Sequence, residues 1–111
     1  MRLDIGSKPD KDARVVSVEG SVDIDSAPSL RSALSSIAQE DCCLVVVDLR
    51  AVTFIDSAGV AALVGAVREV QAAGAQLRLA CDEKKIAGEF HIYGLDRVVP
   101  MFSTVHEALA G

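Results

Sequence analysis

Tryptophan is absent from this 111-residue chain, and aromatic residues make up only 4% of it. Any core must therefore be built from Val, Leu, Ile and Ala, which suits helices packed on strands. Basic charge is scarce too: 11 Lys and Arg stand against 16 Asp and Glu, for a net charge of -5. Lys84-Lys85 is the sole adjacent basic pair. That balance speaks against a nucleic-acid partner, whose backbone is bound by basic surfaces that displace counterions. Long apolar runs are missing as well. The longest weakly polar stretch, 58–67, is too short to span a bilayer and stops at Arg68-Glu69. Met1-Arg2-Leu3-Asp4-Ile5 lacks the apolar core of a signal peptide. The expected location is the cytoplasm, without membrane insertion. Cysteines number three, Cys42, Cys43 and Cys81, with no C-x-x-C spacing. An odd count excludes a complete disulfide framework. Cys42 and Cys43 open an apolar run and read as small buried hydrophobes on opposite faces of one strand. No metal or cofactor is expected.

Half of the residues are apolar, enough for one α/β domain over 1–111. Leu3 and Ile5 alternate with polar neighbours as a short edge strand, and 6–12 reads as a turn rich in Gly, Pro and Asp. Val15 to Val18 suits a hairpin partner that ends at Gly20, where a bulge or sharp exit would use the freedom of glycine. Asp25 and Ser26 are good helix caps, and Pro28 fits a first turn. Ala27, Leu30, Leu34, Ile37 and Ala38 follow at helical spacing. The Val-rich run 42–47 suits a strand buried on both faces, with 49–56 linking it to a second helix. Val60, Leu63, Val64, Val67 and Val70 form the buried stripe of that helix, and Gly74 stops it. Leu77 and Leu79 alternate with Arg78 in another strand. Asp82 can cap a third helix with Ile86, Phe90 and Tyr93 on its inner face. A last strand at 98–102 contains Pro100, which places it at an edge. Thr104-Val105-His106-Glu107 has the form of a capping box. The order β-β-α-β-α-β-α-β-α predicts a mixed sheet with parallel crossovers.

The most informative segment is Val52-Thr53-Phe54-Ile55-Asp56-Ser57-Ala58-Gly59-Val60. Ser57 falls at or beside a helix N-terminus, where unsatisfied backbone N–H groups point outward. Ala58 and Gly59 are small, which would leave the backbone accessible to another molecule. Local physics alone favours a plain helix cap for Ser57. Asp23 and Asp25 sit on the loop after the second strand, which can lie at the same end of the sheet as Asp56-Ser57. Their spacing alone suits solvated loop carboxylates.

Phe54-Ile55-Asp56-Ser57-Ala58-Gly59-Val60 resembles the signature of anti-sigma factor antagonists in the STAS domain family. The resemblance extends to Gly20-Ser21-Val22-Asp23 with Ala27 and Leu30, to 44–49, to Gly74 and the strand after it, and to Gly94-Leu95-Asp96, Phe102 and Glu107-Ala108-Leu109. It covers essentially the whole chain. It implies a STAS-like fold, a mixed sheet with helices mainly on one side. It also implies a mechanism. Short members bind a cytoplasmic anti-sigma factor that is itself a serine kinase, which frees the sigma factor. Phosphorylation of the serine matching Ser57, using ATP, ends the complex, and a serine phosphatase reverses it. Asp23 matches a family acidic position associated with partner binding and phosphorylation. The partner surface implied is Asp23, Asp25, Asp56, Ser57, Ala58 and Gly59. Many members carry a second serine where this chain has Ala58, so Ser57 is the sole hydroxyl of the Asp-Ser-Ala-Gly motif.

Three other readings differ in testable ways. A Ser57 nucleophile would need a base and an oxyanion hole, but Ile55 stands where a G-x-S-x-G elbow needs glycine. His91 and His106 read as surface or partly buried side chains. A receiver-like phosphoacceptor would use Asp48 with Asp23, Asp25 and Lys84, yet such a domain begins β-α rather than with a hairpin. A STAS-like domain also serves larger signalling assemblies and transport complexes. The expectation is a binding module and not an enzyme.

Overall fold

The computed structural model describes residues 1–8, 12–81, 97 and 99–111. Among the described residues the elements follow in the order β1 (Arg2–Lys8), β2 (Ala13–Val22), α1 (Ala27–Ala38), β3 (Leu44–Ile55), α2 (Ser57–Ala72), β4 (Gln76–Ala80), β5 (Met101–Phe102) and α3 (Val105–Ala110). The strands form one five-stranded sheet in the order β1-β2-β3-β4-β5. β1 is antiparallel to β2, and every other neighbour pair is parallel. The expected third helix at 82–94, with Lys84 and His91, lies outside the described residues, as do 95–96 and Val98.

Pleating divides the core. Val16, Val18, Val45, Val47, Leu77 and Leu79 face α1 and α2, where they meet Leu30, Leu34, Leu63 and Val67. Ala13, Val15, Leu44 and Val46 face the other way, towards Ala108, Phe102 and Val105. Within the Val-rich run, Leu44, Val45, Val46 and Val47 are thus buried on both sides, as the lack of alternation requires. The large helices share one side, and the short α3 covers part of the other.

The first three strands differ in extent from the sequence reading. β1 continues through Gly6, Ser7 and Lys8 instead of turning. It is exposed on both faces for most of its length, and past Ile5 no apolar alternation marks it. β2 runs past Gly20 to Val22, and Gly20 supplies a positive φ of 92° inside it. β3 begins at Leu44 and continues to Ile55, through the stretch read as a linker. Its register against β2 shifts twice, between Ser17 and Glu19 and between Gly20 and Ser21. These bulges replace alternation by burial at Leu49, Val52 and Ile55, a spacing that mimics a loop in sequence. Finally, α1 and α2 end as expected near Gln39 and Gly74. At Gly74, φ is 87°. Ala75 N–H donates to Val70 O at 3.1 Å, and Gly74 N–H to Gln71 O at 3.0 Å. This is the paired closure that a left-handed residue after a helix provides. Thr104 Oγ1 accepts from Glu107 N–H at 3.1 Å at the start of α3, one half of the capping box.

Because β3 starts at Leu44, Cys42 and Cys43 precede it rather than alternate across it. Neither is buried: Cys42 is half-buried and Cys43 exposed. The Cys43 thiol donates to Asp12 Oδ2 at 3.0 Å, and that bond and the Asp12 charge push its pKa up. Burial pushes up the pKa of Cys42. Both residues should remain thiols without a Cys42–Cys43 bridge. Cys43 should react slowly with a disulfide reagent at neutral pH despite its exposure, because the thiolate is the reacting form. Asp12→Asn should speed that reaction several-fold, and unchanged kinetics would contradict the assigned contact.

Candidate functional site

Parallel pairing brings the C-terminal ends of β2 and β3 together. Val22 stands beside Ile55 in the register, and Asp56 N–H donates to Val22 O at 3.1 Å. The loop carrying Asp23 and Asp25 therefore emerges at the same end of the sheet as Asp56-Ser57, an arrangement the sequence reading allowed. Open parallel sheets present binding residues at this end of their strands.

The cap of α2 is Asp56 and not Ser57. Asp56 is extended (φ -104°, ψ -174°), and its Oδ1 accepts from Gly59 N–H at 3.0 Å. Val60 N–H closes the first helical bond to Asp56 O at 3.0 Å. Ser57 is the first helical residue and is exposed. Its hydroxyl makes no hydrogen bond among the described residues. Ala58 is half-buried.

Gly59 is buried, and it is small for a reason other than access. A Cβ there would stand 2.6 Å from Ile55 Cγ1, 2.8 Å from Val22 Cγ1 and 3.0 Å from Val22 O. The glycine lets the first turn of α2 press against the strand ends that hold Asp56.

The Asp23 loop is equally constrained. Asp23 Oδ1 accepts from Asp25 N–H at 3.0 Å and Ser26 N–H at 3.1 Å. Asp23 O accepts from Ala27 N–H at 2.7 Å. Ser26 occupies the N-cap position of α1, yet its side chain makes no capping bond. Its Oγ accepts from Asp23 N–H at 2.9 Å and donates to Ser21 O at 3.1 Å. The carboxylate of Asp23 thus serves the donors expected of Asp25 or Ser26, while Asp25 is exposed. The bond from Ser26 N–H holds the Asp23 carboxyl below its ordinary pKa. Folding therefore favours its charged form. That contribution is complete at neutral pH and is lost as acid titrates the group below the usual carboxylate range.

Two apolar side chains that sequence reasoning missed border this acidic surface. Ile24 is 73% exposed between Asp23 and Asp25, and Phe54 is 53% exposed three residues before Ser57. Ile24 lines a groove of about 350 Å³ between α1 and α2, with Ala27, Pro28, Arg31, Ala58, Ala61 and Ala62. Ile24, isolated in an acidic loop, was the available sequence signal. Phe54 carried none, since the bulges conceal which way it faces. Across from Gly65, the Arg31 guanidinium pairs with Glu69 at 2.8 Å and joins the two helices.

The fold and the strand-end site define a STAS domain: the family model for it matches residues 7–108, and the chain belongs to that family. It is 30% identical over 97 residues to the anti-sigma-F factor antagonist RsfB of Mycobacterium tuberculosis, spanning 87% of this chain and 79% of that protein. It is 28% identical over 99 residues to the anti-sigma-B factor antagonist of Bacillus subtilis, spanning 89% and 90%. The crystal structure of an anti-sigma factor antagonist from Mycobacterium paratuberculosis superposes with a TM-score of 0.88 at 25% identity, covering 98% of this chain and 91% of that one. Among the described residues, no helix is long and apolar enough to cross a membrane.

Proposed function

We propose that this chain is a cytoplasmic anti-sigma factor antagonist and not an enzyme. In this reading it binds an anti-sigma factor that is also a serine kinase, releases the sigma factor, and is switched off when that kinase phosphorylates Ser57. A serine phosphatase resets it. The names of the relatives support the first part. The observation that carries the second is that Ser57 is exposed on the first turn of α2 while Asp56 does the capping. A hydroxyl with no structural duty is open to modification. The binding surface comprises Asp23, Asp25, Asp56, Ser57 and Ala58, with Ile24 and Phe54 as apolar contacts and Gly59 as the packing residue beneath.

A phosphate adds roughly -1.5 to -2 charge at neutral pH. The N-terminus of α2 accommodates such charge through its outward N–H groups, so the folded domain tolerates it. The cost falls on the complex, where a dianion beside Asp23 and Asp56 must be buried against a partner. The test is incubation of the purified chain with the anti-sigma kinase of its own genome and ATP, followed by site mapping. Label should appear at Ser57 and vanish in Ser57→Ala, which still binds the kinase. Label that persists in Ser57→Ala, or a kinase that neither binds nor labels the chain, would overturn the reading.

A further inference from the structure

Among the described residues, β1 forms an edge of the sheet with no neighbour on its outer side. It is seven residues long, whereas the opposite edge, β5, has two residues and directly follows Pro100. Natural edge strands are kept from pairing by shortness, proline, charge or a covering element. β5 shows the first two of these devices. β1 is long, lacks proline and carries charges of both signs: Arg2, Asp4 and Lys8.

Those charges lie on one face. Lys8 and Gly6 stand opposite Ala13 and Val15 of β2, on the α3 side, and Arg2 and Asp4 share that face by alternation. Leu3 and Ile5 stand opposite Val18 and Val16, on the side of α1 and α2. Ile5 is 54% exposed and extends the apolar surface beyond the covered core.

We propose that β1 is the docking edge for a second copy of this chain, paired antiparallel about a two-fold axis through Gly6. In that register Asp4 of each copy stands opposite Lys8 of the other. On the second face the two Ile5 side chains become diagonal neighbours, within reach of each other. The two Gly6 residues meet at the axis, where a Cβ would find nothing within 4 Å in the single chain. Charge and overlap together select this register: an axis at Leu3 would also oppose unlike charges, Arg2 and Asp4, but would pair only the first residues of β1 and leave Gly6 to Lys8 unmatched. Moving the axis to Ile5 would set Arg2 against Lys8, a destabilising like-charge pair. The contact between Arg2 and Asp4 within one strand is long, 3.8 Å, and solvated, so it competes weakly for the carboxylate. The axis stands perpendicular to the sheet and joins two five-stranded sheets into one, an isologous arrangement. The Ser57 surface lies at the strand ends and not on this edge, so the proposal stands apart from the function above.

Sedimentation velocity of the full chain from micromolar to millimolar concentration should show a reversible monomer–dimer equilibrium. Asp4→Lys and Lys8→Asp each set like charges opposite one another, and each should weaken dimerisation by about tenfold or more. The double variant D4K/K8D should restore it, with circular dichroism confirming that all three remain folded. A chain that stays monomeric throughout that range overturns the proposal. So does a dimer indifferent to the single swaps, or a double variant as weak as the singles.

Discussion

Gly59→Ala should cost the domain about 2 kcal/mol of stability, the balance between overpacking and the roughly 0.5–1 kcal/mol that alanine gains over glycine inside a helix. The new methyl would meet Val22 Cγ1 and Ile55 Cγ1 at 2.8 and 2.6 Å, and the Val22 carbonyl at 3.0 Å. Val and Ile are stiff at χ1 and cannot simply turn aside. The carbonyl is fixed because it accepts from Asp56 N–H. The first turn of α2 must therefore lift from the sheet. Urea denaturation should show a lowered midpoint, and thermal melting a drop on the order of 10 °C for a domain of this size. Gly65→Ala is the internal control. There the obstructing group is the end of the Arg31 side chain, which can swing away. It would give up a partly exposed pair with Glu69, worth at most about 1 kcal/mol, while the helix gains a comparable amount. Its stability should change by less than about 0.5 kcal/mol. Equal losses at the two glycines would show that Gly59 is not the packing constraint described.

Ser57→Asp should leave the fold intact and weaken kinase binding by about 2 kcal/mol, roughly thirtyfold, the scale of like charges brought together at an interface. A carboxylate at the first position of a helix is itself favourable, so melting should be unchanged or slightly improved. The loss must then come from added charge beside Asp23 and Asp56. Ser57→Ala should bind as wild type does, because no hydrogen bond of the described residues is removed. Asp23→Asn completes the series. An amide oxygen can accept the same N–H groups of Asp25 and Ser26, so the loop should persist while phosphorylation or binding declines. Calorimetry against the cognate anti-sigma kinase reads all three. Wild-type affinity in Ser57→Asp would remove the electrostatic basis of the switch.

The sequence made the helices readable because each presents one face to the core. Leu30, Leu34 and Ile37, and then Val60, Leu63 and Val67, recur at the helical period and are all buried. The centre of β3 was readable as an apolar run. Its second half was not, since two register shifts destroy the alternation by which a strand is recognised. The first half of β1 was readable from Leu3 and Ile5, but Gly6-Ser7-Lys8, exposed and without an apolar residue, offers no pattern to detect. At the site, the position of Ser57 at the helix start was legible, but Asp56 and Ser57 are both good caps, and only backbone geometry assigns the role to Asp56. The meaning of Gly59 was hidden for a different reason. What limits its size is in part Val22, on another strand and far away in the chain.

The division of labour between Asp56 and Ser57 has a kinetic consequence. A group attached to the Ser57 hydroxyl would replace no hydrogen bond of the described residues and would disturb no cap. Under the proposed function, the kinase acts on the native chain without waiting for a segment to open. The modified chain is likewise native, with nothing to relax when the group is removed. The lifetime of the signal is then set by the two opposing enzymes alone. The domain itself holds no memory between cycles, and its response is as fast as those enzymes turn over.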